Sequence, residues 1–361
     1  MENIIAIINK SAIRHNLKFI KKKTKKKIMT IVKSNAYGHG LLKTSKIIQD
    51  LTDYFGVAKI KEAILLKKSG IYKPILILSG FIKEKELKII TKYNFHTVIH
   101  HIEQLNILKK TDIKKKINIW MKIDTGMHRL GIRMEESEIF YKKLIQCTNV
   151  QNPINIISHF SQADNFLKSS TQTKKELNNF FYFIKKKSGL KSIASSSSIL
   201  LYPKSYLNLI RPGIITYGIS PIKNKIGKNF GLKSVMKLKS FLISIKKHKY
   251  GESVGYHGLW ISKKNTYIGI ISIGYGDGYP QSVPFGTPVL IGGKRVPIIG
   301  KISMNMITVD LGINHNFYIG QEVIIWGSSS LPIEKIEKYT GISSYSLLTQ
   351  LNNRIAFKYV K

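Results

Sequence analysis

The chain has 361 residues, 43% hydrophobic and 22% charged, with 27 Gly and 10 Pro, which excludes a disordered, collagen-like or low-complexity protein and leaves room for one large domain or two. Its formal charge of +39 suggests polyanions, but only six of the 59 basic residues are Arg and the other 53 are Lys spread along the chain, so no specific nucleic-acid surface is expected. A single cysteine, Cys147, rules out an internal disulfide; no apolar run reaches the roughly 18 residues of a membrane span and no secretory leader is legible, so the expected compartment is the cytoplasm.

From residue 28 to about 211 short apolar runs rich in β-branched residues alternate with longer amphipathic stretches. The predicted strands are MTIVK (29–33), YFGVAK (54–59), PILILS (74–79), FHTVI (95–99), INIWMKI (117–123), INIISHF (154–160), SIASS (192–196) and LNLIR (207–211). Helical patterns lie between them, among others at 62–69, 84–93, 136–147 and 173–187. Eight strands separated by helices suit a (β/α)8 barrel or a doubly wound sheet, and the polar residues at strand ends favour the barrel. From about residue 233 the helical period gives way to short strands punctuated by Gly and Pro, with short helices only near 333–339 and 344–351. The expected fold is therefore α/β: a (β/α)8 TIM-type barrel over residues 1–232, followed by a mostly β domain over 233–361.

Lys33 closes the first predicted strand and leads into the turn-rich string VKSNAYGHG at 32–40, on the barrel face where sites are kept. That string resembles the cofactor-lysine segment of the alanine racemases, pyridoxal-phosphate enzymes of fold type III. Four further segments fall in the family's order: WMKIDTGMHRLG (120–131), IRPGIITYGISP (210–221), ESVGYHG (252–258), and the pair IGYGDGYP (273–280) and IGKISMNMITVDL (299–311). The resemblance covers essentially the whole chain.

The resemblance implies pyridoxal 5'-phosphate as cofactor, alanine as substrate, and D-alanine for peptidoglycan as the product's destination. It assigns Lys33 as cofactor lysine and base on one face, and Tyr256 as the opposite base, supplied by the partner chain of a homodimer. Arg211 would meet the pyridine nitrogen and Arg129 the substrate carboxylate, while Lys122 matches a lysine that is often carbamylated. Tyr37, Ser196, Gly213, Ile214 and Tyr345 would surround the phosphate; His159 would join the network near the ring; Met304 would bound the substrate and Tyr275 the entrance.

Elementary chemistry agrees with this set. An amino acid's α-proton is too weakly acidic for a side-chain base alone, so an electron sink joined to the amine is required, and inversion needs proton donors on two faces. A protonated guanidinium only donates, so Arg211 would keep a ring nitrogen unprotonated. Arg129 offers a two-donor fork for a carboxylate. Lys122 lies in an apolar run where burial would lower its pKa, and either a carbamate or an ordinary pair with Asp124 fits the residue types.

Ser195, Lys301, Asn305 and Ser346 depart from the residues usual in the family, without removing a central group. GESVG (251–255) matches a nucleophile-elbow string but lies among strands, and G-x-G-x-G at 274–278 lacks dinucleotide-site spacing. No metal site is expected. A racemase of broader range and a non-catalytic barrel that binds the same cofactor are the alternatives, the latter disfavoured by Tyr256.

Overall fold

A computed structural model describes residues 4–164 and 170–361. Eight parallel strands follow one another in chain order around a barrel: Lys27–Ile31, Tyr54–Val57, Ile75–Ile77, His96–Ile99, Ile119–Asp124, Asn155–Ile157, Lys191–Ser192 and Leu209–Ile210. The last pairs back onto the first in the register Leu209↔Lys27 and Ile210↔Ile28. Between the seventh and eighth strands the ring is joined by the bridge Ser195↔Arg211, where the Arg211 N–H donates to the Ala194 carbonyl at 2.9 Å. Each strand overlaps one expected from the sequence, the seventh only at Ser192, because parallel barrel strands are covered on both faces and are mostly apolar. Ile75–Ile77 and Asn155–Ile157 are buried at every residue. Phe55, Met29 and Trp120 are fully buried, each contributing roughly 1.5–3 kcal/mol.

The helices lay one apolar stripe on this ring. Lys10–Thr24 is capped by Asn9, whose side-chain oxygen accepts from the Ala12 N–H at 2.7 Å, and it buries Ile13, Leu17 and Ile20. Lys21, Lys22 and Lys23 of the dense basic run occupy its last turn, where cations meet the negative end of the helix dipole. Glu84–Tyr93 coincides with the predicted 84–93 helix and turns out through Asn94 at φ 55°. Cys147 is buried just beyond Met134–Ile145. Among the described residues no helix is long and apolar enough to cross a membrane.

The second sheet runs in the order Thr266–Ile271, Ile307–Asp310, Lys294–Ile299, Pro288–Ile291, Glu322–Trp326, Met236–His248, Ile5–Asn9, Ala356–Val360. The long strand Met236–His248 closes its main ring: residues near Leu238 pair with Glu322–Trp326, and beyond a register shift between Leu242 and Ser244 it pairs with Thr266–Ile271. The strand Ile5–Asn9, although numbered with the barrel, hydrogen-bonds in this second sheet, antiparallel to Met236–His248 and parallel to Ala356–Val360. It ties the start of the chain to its end through pairings more than 200 residues apart in sequence.

Candidate active site

The carboxyl ends of the barrel strands open into a cavity of about 500 Å³. Lys33 follows the first strand, Lys122 lies on Ile119–Asp124, His159 follows Asn155–Ile157, and Arg211 follows Leu209–Ile210. All four line the cavity, joined by Arg129 from the loop after Ile119–Asp124. Four cationic side chains thus share one opening, with Asp164 a single lining carboxylate against them. Such a site calls for anionic ligands.

Arg211 is buried and fixed from three directions. Its Nη1 donates to Ser192 Oγ at 2.6 Å, and its Nη2 donates to the Ser158 carbonyl and approaches His159 Nδ1 at 3.4 Å. Burial lowers its pKa to about 9, so it still carries its proton near neutrality. These contacts use one N–H of Nη1 and those of Nη2, which leaves Nε and the second N–H of Nη1 without a partner among the described residues. Burial first, and the neighbouring cation Arg211 next, hold His159 well below the usual histidine range. His159 is therefore neutral, and because a guanidinium can only donate, its Nδ1 is the accepting nitrogen.

The first strand ends at Ile31, two residues earlier than predicted, and Lys33 begins a turn in which Ser34, Asn35, Ala36 and Tyr37 all hold φ between 52° and 55°. Left-handed backbone costs non-glycine residues roughly 1–2 kcal/mol each, and strain of this kind collects at functional sites. The turn is held by the Ala36 N–H on the Val32 carbonyl and the Gly40 N–H on the Asn35 carbonyl, each at 2.9 Å. It sends Lys33 into the cavity and folds Tyr37 beneath it. Burial, and then Arg129, lower the Lys33 pKa, and Glu62 partly offsets them.

Lys122 is half-buried, and its pKa falls to about 8 through burial, Arg211 and Arg129. Asp124, its partner in the alternative reading, is committed elsewhere: Oδ1 accepts from the N–H groups of Gly126, Met127 and His128 at 3.0–3.1 Å and so shapes the loop that carries Arg129. No carboxylate lies within ion-pair distance of Lys122 among the described residues.

At the far side Tyr37, Ser196, Gly213 and Tyr345 converge. The Gly213 N–H donates to Ser196 Oγ at 2.9 Å, and a Cβ on Gly213 would come within 2.5 Å of the Tyr37 hydroxyl. Only glycine leaves this hydroxyl in place. Ser196 begins the helix Ser196–Leu201, as the serine run predicts. This cup of hydroxyls, the unused N–H donors of Arg211 and the Lys33 amine, all in one lining, fit a flat, phosphorylated ring with a lysine-reactive carbonyl.

Four predicted site residues do not line this cavity. Ile214 starts the turn Ile214–Tyr217 with its side chain buried, which leaves its backbone as the part available to a ligand. Tyr256 and Met304 lie in the second domain, 64% and 53% exposed. Tyr275 also lies outside it, and the Tyr275 N–H donates to the Ser303 carbonyl at 3.1 Å. Sequence reasoning missed Ser192 and Ser158, which fix Arg211, and Asp164 in the lining. A serine at a strand end has no distinctive spacing, so only the folded ring identifies these residues.

A (β/α)8 barrel with an appended β domain and a lysine-bearing, cationic mouth defines the class of fold type III pyridoxal-phosphate enzymes. The chain belongs to the alanine racemase family: residues 8–221 match the family's N-terminal domain and residues 235–359 its C-terminal domain. It is 46% identical to the biosynthetic alanine racemases of Escherichia coli K12 and Shigella sonnei, over 100% of each chain. The fold superposes on the biosynthetic alanine racemase of Pseudomonas aeruginosa with a TM-score of 0.96 at 33% identity, covering 100% of both chains. The Bartonella henselae alanine racemase, solved with covalently bound pyridoxal phosphate, matches with a TM-score of 0.90 at 27% identity over 99% of each chain.

Proposed function

We propose that this chain is an isomerase that interconverts L- and D-alanine with pyridoxal 5'-phosphate as cofactor, supplying D-alanine for peptidoglycan. The convergence of Lys33, Arg129, Arg211 and the Tyr37–Ser196–Gly213 cup on one cavity carries this reading. When bound, pyridoxal phosphate supplies the electron sink that makes an amino acid's α-proton removable. Lys33 would hold the cofactor through its amine and, as a free amine, serves as the base that takes or returns that proton on one face. Its lowered pKa keeps more of the free amine available near neutral pH. Arg211, which can only donate, would face the ring nitrogen and favour a ring without a proton there, a weaker sink from which the proton returns more readily to carbon. Arg129 pairs with the substrate carboxylate. Tyr37, Ser196, Tyr345 and the backbone at Gly213 and Ile214 hold the phosphate, and His159 keeps Arg211 in register.

The second base is Tyr256 of a second copy, with Met304 beside it bounding the substrate. This makes the protein a head-to-tail homodimer that assembles each site from two chains. The exposure of Tyr256, Leu259, Ile261 and Met306 on the β domain supports such a contact face. The cofactor-holding unit is taken as residues 1–232 and the Tyr256-bearing unit as 233–361, with Ile5–Asn9 lent to the second sheet. Lys122, neutral above pH 8 or so and free of a carboxylate partner, is taken as carbamylated, its new charge facing Arg129 and Arg211. The protein works in the cytoplasm, in keeping with relatives named as biosynthetic enzymes.

Purified protein should carry the visible absorbance of lysine-bound pyridoxal phosphate and racemise alanine faster than other amino acids in a substrate panel. Colourless protein that cannot be reconstituted, or a preference for a different amino acid, would overturn the assignment.

A further inference from the structure

We infer that Glu62 is a positioning residue for Lys33, fastening the left-handed turn that presents the lysine to the cavity. The inference rests on the role given to Lys33 under the proposed function. Glu62 lies in the first turn of the helix Ile60–Lys68, and its Oε2 accepts from the N–H groups of Ala58 and Lys59, both at 3.0 Å. That much is helix capping. Its Oε1 does something else: it accepts from the N–H of Ser34 at 2.7 Å, 28 residues back in the chain and next to Lys33.

The following units supply an internal control. In Glu84–Tyr93 the equivalent Glu86 caps with Oε2, accepting from Ile82 and Lys83 at 2.7 and 3.2 Å. Its other oxygen makes no further hydrogen bond among the described residues. In Ile102–Lys110 the same place is taken by a neutral Gln104, whose Oε1 accepts from the His100 N–H at 2.8 Å. Capping therefore needs no charge and only one acceptor. Gln104 also reaches back, but as a donor, from Nε2 to the Phe81 carbonyl at 2.9 Å; Glu62 differs in accepting with both oxygens, and the segment it reaches holds four consecutive residues at positive φ.

The carboxylate also opposes a field. Lys33 faces Lys122 and His159 from their strands, Arg129 from its loop, with Arg211 and Asp164 in the same lining. Among these neighbours Glu62 supports the protonated amine against Arg129. Its loss moves the Lys33 titration to lower pH and loosens the turn that aims the amine.

The test compares wild type with Glu62→Gln, Glu62→Asp and Glu86→Gln. The first readout is cofactor release from holoenzyme, followed by absorbance. The second, on apoprotein, is the pH dependence of Lys33 acylation, read by peptide mass spectrometry. Glu62→Gln should release pyridoxal phosphate at least about tenfold faster, the scale of one charge-assisted hydrogen bond, and its Lys33 midpoint should fall. Glu86→Gln should leave both near wild type and barely change the melting temperature, since one glutamine oxygen still caps, as that of Gln104 does. Glu62→Asp keeps the charge but shortens the reach, so it should retain the midpoint yet still release cofactor faster; it carries the test if the glutamine variant does not fold. Equal behaviour of the Glu62 and Glu86 variants, or wild-type release from Glu62→Asp, overturns the inference. Wild type that fails to hold pyridoxal phosphate or to racemise alanine overturns the proposed function instead.

Discussion

The barrel mouth and the Tyr256 segment differ in how far each is finished within one chain. At the mouth Arg211 is buried and bonded through both terminal nitrogens, Gly213 is pressed against Tyr37, and Lys33 rides on a turn fastened at several points. The Tyr256 turn, by contrast, leaves its phenol 64% exposed, with Gly255 and His257 at positive φ holding it outward. One region is buried and fixed within the chain, the other stands open to its surroundings. On the proposed reading, half of the site is built by folding and half by assembly, and each half can be broken separately.

The largest effect should come from Lys33→Ala. Loss of the covalent anchor and one base should abolish bound-cofactor absorbance and lower alanine racemisation at least about a thousandfold. Retention of either signal would show that the mouth is not the reacting centre.

Tyr256→Phe should lower turnover by roughly 10²–10⁴, the range for a lost general acid or base, while the absorbance stays. Deuterium exchange should fall more for one enantiomer than for the other; equal loss would argue against bases on opposite faces. Mixing the two dead variants gives the sharper result. Random reassortment makes half the dimers mixed, and a shared site leaves one intact centre in each, so roughly a quarter of wild-type activity should return. No recovery, with exchange of chains verified, would place both groups in one chain.

The two regions were also unequally legible in the sequence. Most barrel strands read as largely apolar runs because a parallel strand is covered on both faces, although Lys191–Ser192 is polar and was legible only from its place in the βα period. Lys33, Lys122, Arg129 and Arg211 were legible through their motifs and strand-end positions. The turn at Ser34–Tyr37 was not, since Ala36 and Tyr37 have no intrinsic preference for positive φ and tertiary bonds impose it. Ile5–Asn9 hid its place for a different reason: its pairing partners lie at the far end of the chain, and local pattern says nothing about them.

A smaller effect is expected from Gly213→Ala. The new Cβ would stand 2.5 Å from the Tyr37 hydroxyl and displace it from the cup. Crowding of this kind costs about 1–3 kcal/mol. Affinity for pyridoxal phosphate, measured by reconstitution of apoprotein, should therefore weaken about tenfold, with racemisation restored at high cofactor. Unchanged affinity would detach the phosphate from this cup.

The smallest effect should be that of carbon dioxide on Lys122. Only the neutral amine can take it up, and burial with two neighbouring guanidinium groups brings the Lys122 pKa to about 8. Lowering the pH from 9 to 6.5 passes through that value and protonates the amine, so carbamate must decline in that direction. Once formed, the carbamate adds an anion beside Arg129 and Arg211, which resists its loss and spreads the decline to lower pH. Protein equilibrated with ¹³C-bicarbonate should show a carbamate carbon resonance at pH 8–9 that is absent in Lys122→Met and weaker at pH 6.5. Activity should change by only a few-fold, because Arg129 keeps the backbone-fixed loop shaped by Asp124 even without the carbamate. No resonance at any pH would leave Lys122 as an unmodified amine and assign the positioning of Arg129 to Asp124 alone.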